Sequence, residues 1–185
     1  KAILKLAEHS ISRFPTKAFF TYGNFGTVQD SRQHLWLPSE TGLFEAYLEN
    51  GNWRTLIHAF GPNRNGTAVQ CLTQGLDGSF SILADGVTSL NHIEQNGSAS
   101  RVVRKSTLPI HDSSYSYAMM IDRANRLWKG IDGVGVEIAD AKKGNLIYTY
   151  SEKDDFPGSH PRAIYEDSKG NVWLGTEDAT EGALA

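Results

Sequence analysis

An internal repeat of about 47 residues constrains this chain more than any other feature of its sequence. Four aromatic residues mark the repeat, with separations of 44, 48 and 45 residues: Trp36, Phe80, Trp128 and Trp173. A polar residue lies six positions before each of them: Asp30, Gln74, Asp122 and Asp167. Four prolines mark the same repeat independently, with separations of 47, 47 and 48 residues: Pro15, Pro62, Pro109 and Pro157. The chain is therefore predicted to consist of consecutive copies of one unit, with the four aromatic residues in equivalent positions.

Each unit has the pattern of four short strands joined by turns. In the last copy, the strand candidates 162–166 and 172–176 flank a turn in which Gly170 accepts a positive φ without a steric clash. The corresponding residues of the earlier copies are Gln33, Asp77 and Asn125. Hairpin turns such as Asn50-Gly51 separate the third and fourth strands. Four strands in about 40 to 50 residues are typical of a propeller blade. We predict an all-β fold, a β-propeller fragment of about four consecutive four-stranded antiparallel blades, incomplete at both ends.

The repeat register also predicts where the blades begin and end. Residues 1–15 are expected to be the outer strand of a preceding blade and its linker, with the strand itself at 2–6 in preference to a helix. Whole blades are expected at 16–61, 62–108 and 109–156, and a partial blade at 157–185 that ends as a third strand begins at 183–185. A closed propeller contains about six to eight blades. The remaining blades of a parent propeller are therefore the first expected partner.

Composition argues against several classes of function. A net charge of −3 offers little to neutralise a phosphate backbone, so no nucleic acid partner is expected. The apolar runs are too short for a membrane span. The one cysteine, Cys71, lies in an apolar segment and is expected to be a small buried residue. The six histidines have no metal-ligand spacing and are expected at the surface. No catalytic residue, metal site or cofactor is predicted.

The last copy carries a family resemblance. Residues 162–176 read as an apolar strand, Glu-Asp, a Ser-x-Gly-Asn turn and an apolar-Trp-apolar-Gly-Thr strand, which resembles the repeat of two-component regulator propellers. Residues 117–130 and 27–43 are weaker copies, and the second copy departs most, with Gln74, Phe80 and Ser81 in the motif positions. The resemblance implies a non-catalytic sensor region on the periplasmic or extracellular side of a membrane-anchored protein. It also implies signalling through output domains, a histidine kinase or a cyclic-di-GMP enzyme, that this chain does not contain.

Ligand recognition is expected where loops surround the central channel, because convergent polar groups at a channel mouth commonly bind ligands. The candidate residues lie in the loops and linkers of that face: Asn63, Arg64, His111, Asp112, Asp132, His160, Arg162, Glu177 and Asp178. A small molecule, an oligosaccharide or a second copy of the chain would be the partner. An alternative is part of a lyase- or glycosidase-type propeller enzyme, with paired acids or a His–acid pair at the channel mouth. A purely architectural platform is the third hypothesis.

Overall fold

The computed structural model describes residues 2–7, 10–15, 26–59, 68–84, 87–96, 99–108, 116–156, 158 and 160–177. These residues are almost entirely extended, apart from one 3₁₀ turn at Glu152–Asp154. The strands, in chain order, are β1 (Ala2–Ala7), β2 (Ser10–Pro15), β3 (Val28–Gln29), β4 (Leu35–Ser39), β5 (Gly42–Glu49), β6 (Asn52–His58), β7 (Val69–Gln74), β8 (Phe80–Ala84), β9 (Val87–Asn96), β10 (Ala99–Thr107), β11 (Ala118–Ile121), β12 (Arg126–Ile131), β13 (Gly135–Asp140), β14 (Leu146–Tyr150), β15 (Pro161–Glu166) and β16 (Val172–Thr176).

The strands form up-and-down sheets in which chain neighbours are also sheet neighbours. β3–β6, β7–β10 and β11–β14 are four-stranded antiparallel sheets, named blades one, two and three below. β15 and β16 pair as the first two strands of blade four. Sequential antiparallel strands in repeated four-stranded sheets are the architecture of a propeller blade. The predicted fold class, a β-propeller fragment of consecutive blades, is confirmed. The predicted blade boundaries remain predictions, because the linkers through which they run lie largely outside the described residues.

The start of the chain corrects one prediction. Residues 2–6 are extended as expected, but β1 pairs with β2, which runs through a segment expected to be linker. Ala2 lies opposite Pro15 and Ala7 opposite Ser10, so the two strands form an antiparallel hairpin. An isolated strand leaves its backbone donors and acceptors without partners, and pairing with β2 satisfies one row of them. The predicted third strand at 183–185 lies outside the described residues.

The core lies between the blades, where the facing sheets bury their apolar side chains. Blades one and two meet at Trp36, Leu43, Val69, Leu72, Phe80, Ile82 and Ala84. Blades two and three meet around Leu108, Leu127, Ala139 and Ala141, with Leu90 packed against them. Blades three and four meet at Trp128, Val136, Ile138, Phe156 and Leu174. The second strands of blades two and three, β8 and β12, are therefore buried almost throughout, as expected for strands that lie between two neighbouring blades.

The second copy departs from the predicted equivalence of the four aromatic residues. Trp36, Trp128 and Trp173 each lie opposite the residue two positions before their repeat aspartate. In blade two the turn begins at Gly75, and the residue two positions before it, Thr73, lies opposite Ser81. Ser81 therefore has the position of the tryptophans, and Phe80 precedes that position by one residue. Phe80 instead packs against Trp36 of blade one, with the ring centroids 5.7 Å apart.

The turn of blade two explains this shift. It begins at Gly75, whose N–H bonds to the carbonyl of Ser79, whereas Gln74 was expected to hold that place. The positive φ falls on Gly78, at +77°, and not on Asp77 as predicted. Glycine reaches that conformation without a Cβ clash, so the turn moves by one residue to use it. In the other three blades Gln33, Asn125 and Gly170 have positive φ at the predicted position.

Candidate functional site: the channel mouth between blades three and four

The repeat aspartates are structural, because each bonds to the tryptophan of its own blade. Three carboxylates accept the indole N–H six residues later: Asp30 from Trp36 at 3.0 Å, Asp122 from Trp128 at 2.8 Å and Asp167 from Trp173 at 3.0 Å. Their other oxygen accepts a backbone N–H of the intervening turn, four residues on. One side chain thus holds both the turn and the ring in place. The spacing of six residues was visible in the sequence, but the indole bond was not predicted.

A cavity of about 210 Å³ lies where the first strands of the blades converge. Its lining comes from successive blades: Gly26, Cys71, Leu72, Tyr117, Ala118, Met119, Arg162, Ala163 and Ile164. Cys71 is buried as predicted. Burial raises the pKa of its thiol to about 12, although the charge of Lys129 opposes the shift. The thiol is therefore protonated at neutral pH, a form that is a poor nucleophile. Cys71 contributes to the lining of this cavity.

Arg162, which lines this cavity, is the centre of a polar cluster that we call the channel mouth. Its Nη1 donates to Asp132 Oδ1 at 2.9 Å, across the boundary between blades three and four. Its Nε and Nη2 both contact Glu177 Oε2. Its guanidinium carbon lies 4.2 Å from the ring centroid of Tyr117, a cation–π contact. The cation is thus held on three sides by groups from two blades.

The electrostatics of the mouth follow from this arrangement. Burial disfavours the charged guanidinium, but the hydrogen bonds and charges of Glu177 and Asp132 outweigh it and raise the pKa of Arg162. His160 approaches the same carboxylate, with Nε2 3.9 Å from Asp132 Oδ1. The backbone carbonyl oxygen of His160 accepts the backbone N–H of Glu177 at 3.0 Å. This bond joins the residue before β15 to the residue after β16. The mouth therefore presents one fixed cation between two carboxylates and beside an imidazole.

Four of the nine predicted ligand-binding residues come together here: Asp132, His160, Arg162 and Glu177. The other five lie outside the described residues: Asn63, Arg64, His111, Asp112 and Asp178. Tyr117 was missed by the sequence analysis. The signal that could have found it is its position immediately before β11, where a first strand enters the channel wall. Among the described residues, no cluster of His, Cys, Asp and Glu is suited to a metal ion, and no helix is long and apolar enough to cross a membrane.

A second polar cluster, in blade one, corrects the expectation that the histidines are scattered on the surface. Glu45 is fully buried and lies between two imidazoles. His34 Nδ1 lies 2.6 Å from Glu45 Oε1, and His58 Nε2 lies 2.8 Å from Oε2. Tyr47 stacks on His34 with centroids 4.6 Å apart. Both histidine side chains are largely buried, because cross-strand register brings β5 and β6 against the turn before β4.

Comparisons with known proteins agree with this architecture. Residues 155–178 match the model of the two component regulator propeller family. The fold resembles the extracellular domain assigned to a hybrid two component system of B. thetaiotaomicron, with 16% identity, a TM-score of 0.63 and coverage of 93% of this chain and 24% of that one. It also resembles the extracellular domain assigned to a one component system of the same organism, with 15% identity, a TM-score of 0.59 and coverage of 94% and 26%.

An enzyme shares the fold as well. A catalytically inactive virginiamycin B lyase from Staphylococcus aureus, solved with quinupristin, has 12% identity, a TM-score of 0.62 and coverage of 100% of this chain and 61% of that one. No curated protein matches the chain. The chain spans about a quarter of the two extracellular domains, and likeness at this identity establishes the fold alone. The chain is a β-propeller segment, and its residues 155–178 are similar to the repeat of the two component regulator propeller family.

Proposed function

We propose that this chain is a non-catalytic segment of an extracytoplasmic sensor propeller that binds a small molecule or oligosaccharide at its channel mouth. The family repeat at 155–178 and the extracellular domains that share the fold support the sensor assignment. Signalling would pass through output domains elsewhere in the protein. The other blades of the propeller and a second copy of the chain are the proposed protein partners.

The observation that carries the proposal is the set of polar side chains around Arg162. Asp132 belongs to blade three, Arg162 and Glu177 belong to blade four, and Tyr117 immediately precedes the first strand of blade three. A ligand seated among them would contact both blades at once. Because the two blades share a packed interface that includes Trp128 and Leu174, such a ligand would change how tightly they are held together.

The enzyme alternative has one observation in its favour, the His–acid pair at the same mouth. His160 and Asp132 are 3.9 Å apart, a distance from which a bound substrate could draw them together. However, Asp132 Oδ1 already accepts a closer bond from Arg162, at 2.9 Å. The carboxylate oxygen nearest to the imidazole is thus already bonded to the guanidinium. This geometry favours binding over acid–base catalysis.

A thermal-shift screen of small molecules and oligosaccharides against the chain tests the proposal. A ligand at about 100 times its Kd should stabilise the folded state by about 2.7 kcal/mol. The stabilisation should be lost in Arg162→Ala. It should persist in Arg54→Ala, a matched control whose arginine pairs with Glu49 at 2.9 Å at the rim of blade one.

Two outcomes contradict the proposal. Turnover of a hit compound that disappears in His160→Ala would establish the enzyme alternative. Hits that stabilise Arg162→Ala as strongly as the unmodified chain would place recognition away from the channel mouth.

A further inference from the structure

We infer that the ligand of the channel mouth carries a carboxylate, and that Glu177 occupies the place of that group in the unliganded protein. The inference rests on the proposed binding function and adds the chemical class of the ligand. It comes from the way in which the two edges of the Arg162 guanidinium are occupied.

The two edges of Arg162 hold their carboxylates differently. Nη1 bonds to Asp132 Oδ1, while Nε and Nη2 converge on one oxygen of Glu177, Oε2. The Nε–Nη2 edge is a planar fork that matches two carboxylate oxygens with two parallel hydrogen bonds. Glu177 therefore uses the fork with one oxygen only. A ligand carboxylate that displaced Glu177 could place one oxygen on each nitrogen.

Exposure shows which of the two carboxylates can be displaced. The Asp132 side chain is 21% exposed, whereas that of Glu177 is 63% exposed. Ion pairs of the exposed kind are weak, because water competes for both partners. The Glu177 backbone is separately anchored by its N–H bond to the His160 carbonyl. The side chain can therefore leave Arg162 without moving the strand end.

The rest of the mouth favours an anion over a cation. Tyr117 and Asp132 fix the plane of the guanidinium, so the fork keeps its orientation when Glu177 leaves. Arg162 and Tyr117 both line the cavity of about 210 Å³, which gives space for the remainder of a ligand that binds the guanidinium. A cationic ligand would have to compete with Arg162 for the carboxylates of Asp132 and Glu177. An anionic ligand has to displace only the exposed side chain of Glu177.

Glucuronate and glucose are suitable probes, because they differ in one carboxylate. Binding is followed by the Nε–H NMR signal of Arg162 in the full chain. Glucuronate should shift this signal and glucose should not. Glu177→Gln removes the competing charge and should tighten glucuronate binding by about two- to fivefold, the range expected for one exposed ion pair. The matched control Glu49→Gln neutralises the half-buried carboxylate that pairs with Arg54 and should leave the affinity unchanged.

A further variant separates the fork from simple charge attraction. Arg162→Lys keeps the positive charge but lacks the two-nitrogen edge, so it should lose most of the affinity for glucuronate. The inference is overturned if glucose binds as well as glucuronate, if Arg162→Lys binds equally well, or if Glu177→Gln fails to bind glucuronate more tightly. In those cases, hits from the thermal-shift screen that depend on Arg162 would leave the proposed binding function standing. Absence of such hits would remove both.

Discussion

Replacement of Asp122 by alanine should destabilise the chain strongly, because this buried carboxylate satisfies several donors at once. Asp122 is 1% exposed. It accepts the indole N–H of Trp128 at 2.8 Å and the backbone N–H of Arg126 at 2.8 Å, and it pairs with the Arg126 side chain at 2.6 Å. Each buried donor left without an acceptor costs about 1 to 3 kcal/mol. Because the indole N–H and one backbone N–H would both lose their acceptor, Asp122→Ala should lower the free energy of unfolding by about 2 to 6 kcal/mol.

Asp167→Ala is the internal control, because it removes the same bonds in a solvated setting. Asp167 accepts the indole N–H of Trp173 at 3.0 Å and the backbone N–H of Asn171 at 2.9 Å. Trp173 is 43% exposed, whereas Trp128 is 7% exposed. Water can replace the lost acceptor at Trp173 and not at Trp128, so Asp167→Ala should be much the milder change. Urea unfolding followed by tryptophan fluorescence measures both losses.

The contribution of Asp122 to the free energy of unfolding also depends on pH, and the sign of that dependence follows from its pKa. Burial alone would raise the pKa of Asp122, but the hydrogen bonds from Trp128 and Arg126 outweigh it and lower the pKa below its ordinary value. A carboxyl with a depressed folded-state pKa stabilises the fold above its unfolded-state pKa, and loses that contribution as pH falls through the folded-state pKa. Stability should therefore fall in the acid range below pH of about 4, and Asp122→Ala should show a shallower fall. Equal losses in Asp122→Ala and Asp167→Ala, or an unchanged acid slope in Asp122→Ala, would refute this reasoning.

Two paired substitutions test the local packing, again by urea unfolding. Gly135→Ala should cost about 2 to 4 kcal/mol, because its Cβ would lie 2.1 Å from the Tyr150 carbonyl oxygen at a φ of +124°. Gly133→Ala, with a φ of +75° and open space around it, should cost only about 1 kcal/mol; equal costs would contradict the steric argument. Ser81→Ala should be neutral or stabilising by up to about 1 kcal/mol, because its buried hydroxyl has no partner. Ser39→Ala should destabilise by about 1 kcal/mol, because its hydroxyl donates to the Gly42 carbonyl at 2.6 Å; the reverse order would contradict the hydrogen-bond argument.

The repeat pattern was sufficient to predict consecutive antiparallel four-stranded blades. Strand β16 begins and ends where the sequence predicted, at residues 172 and 176. The Asn50-Gly51 turn has positive φ at both residues, as the hairpin prediction requires. These features could be predicted because turn chemistry and strand alternation depend on residues that are close neighbours in the chain.

Register was harder to predict than the existence of strands. Counting back from Phe80 placed the blade-two turn at Gln74 and Asp77, but the structure places it at Gly75 and Gly78. Both alignments keep the period of the repeat within one residue. Only the pairing of β7 with β8 decides between them, and a slip of one residue exchanges the two faces of a strand. For that reason Phe80 faces blade one.

The sequence by itself determined a chain of repeated antiparallel sheets, since each sheet is made by hairpins between consecutive segments. Only the tertiary structure decided which polar groups meet. Glu45 lies between His34 and His58 because cross-strand register places them on one face of blade one. Arg162 reaches Asp132, thirty residues away, because blade four packs beside blade three. The first contact depends on strand register within one sheet, and the second on how neighbouring twisted sheets stack face to face.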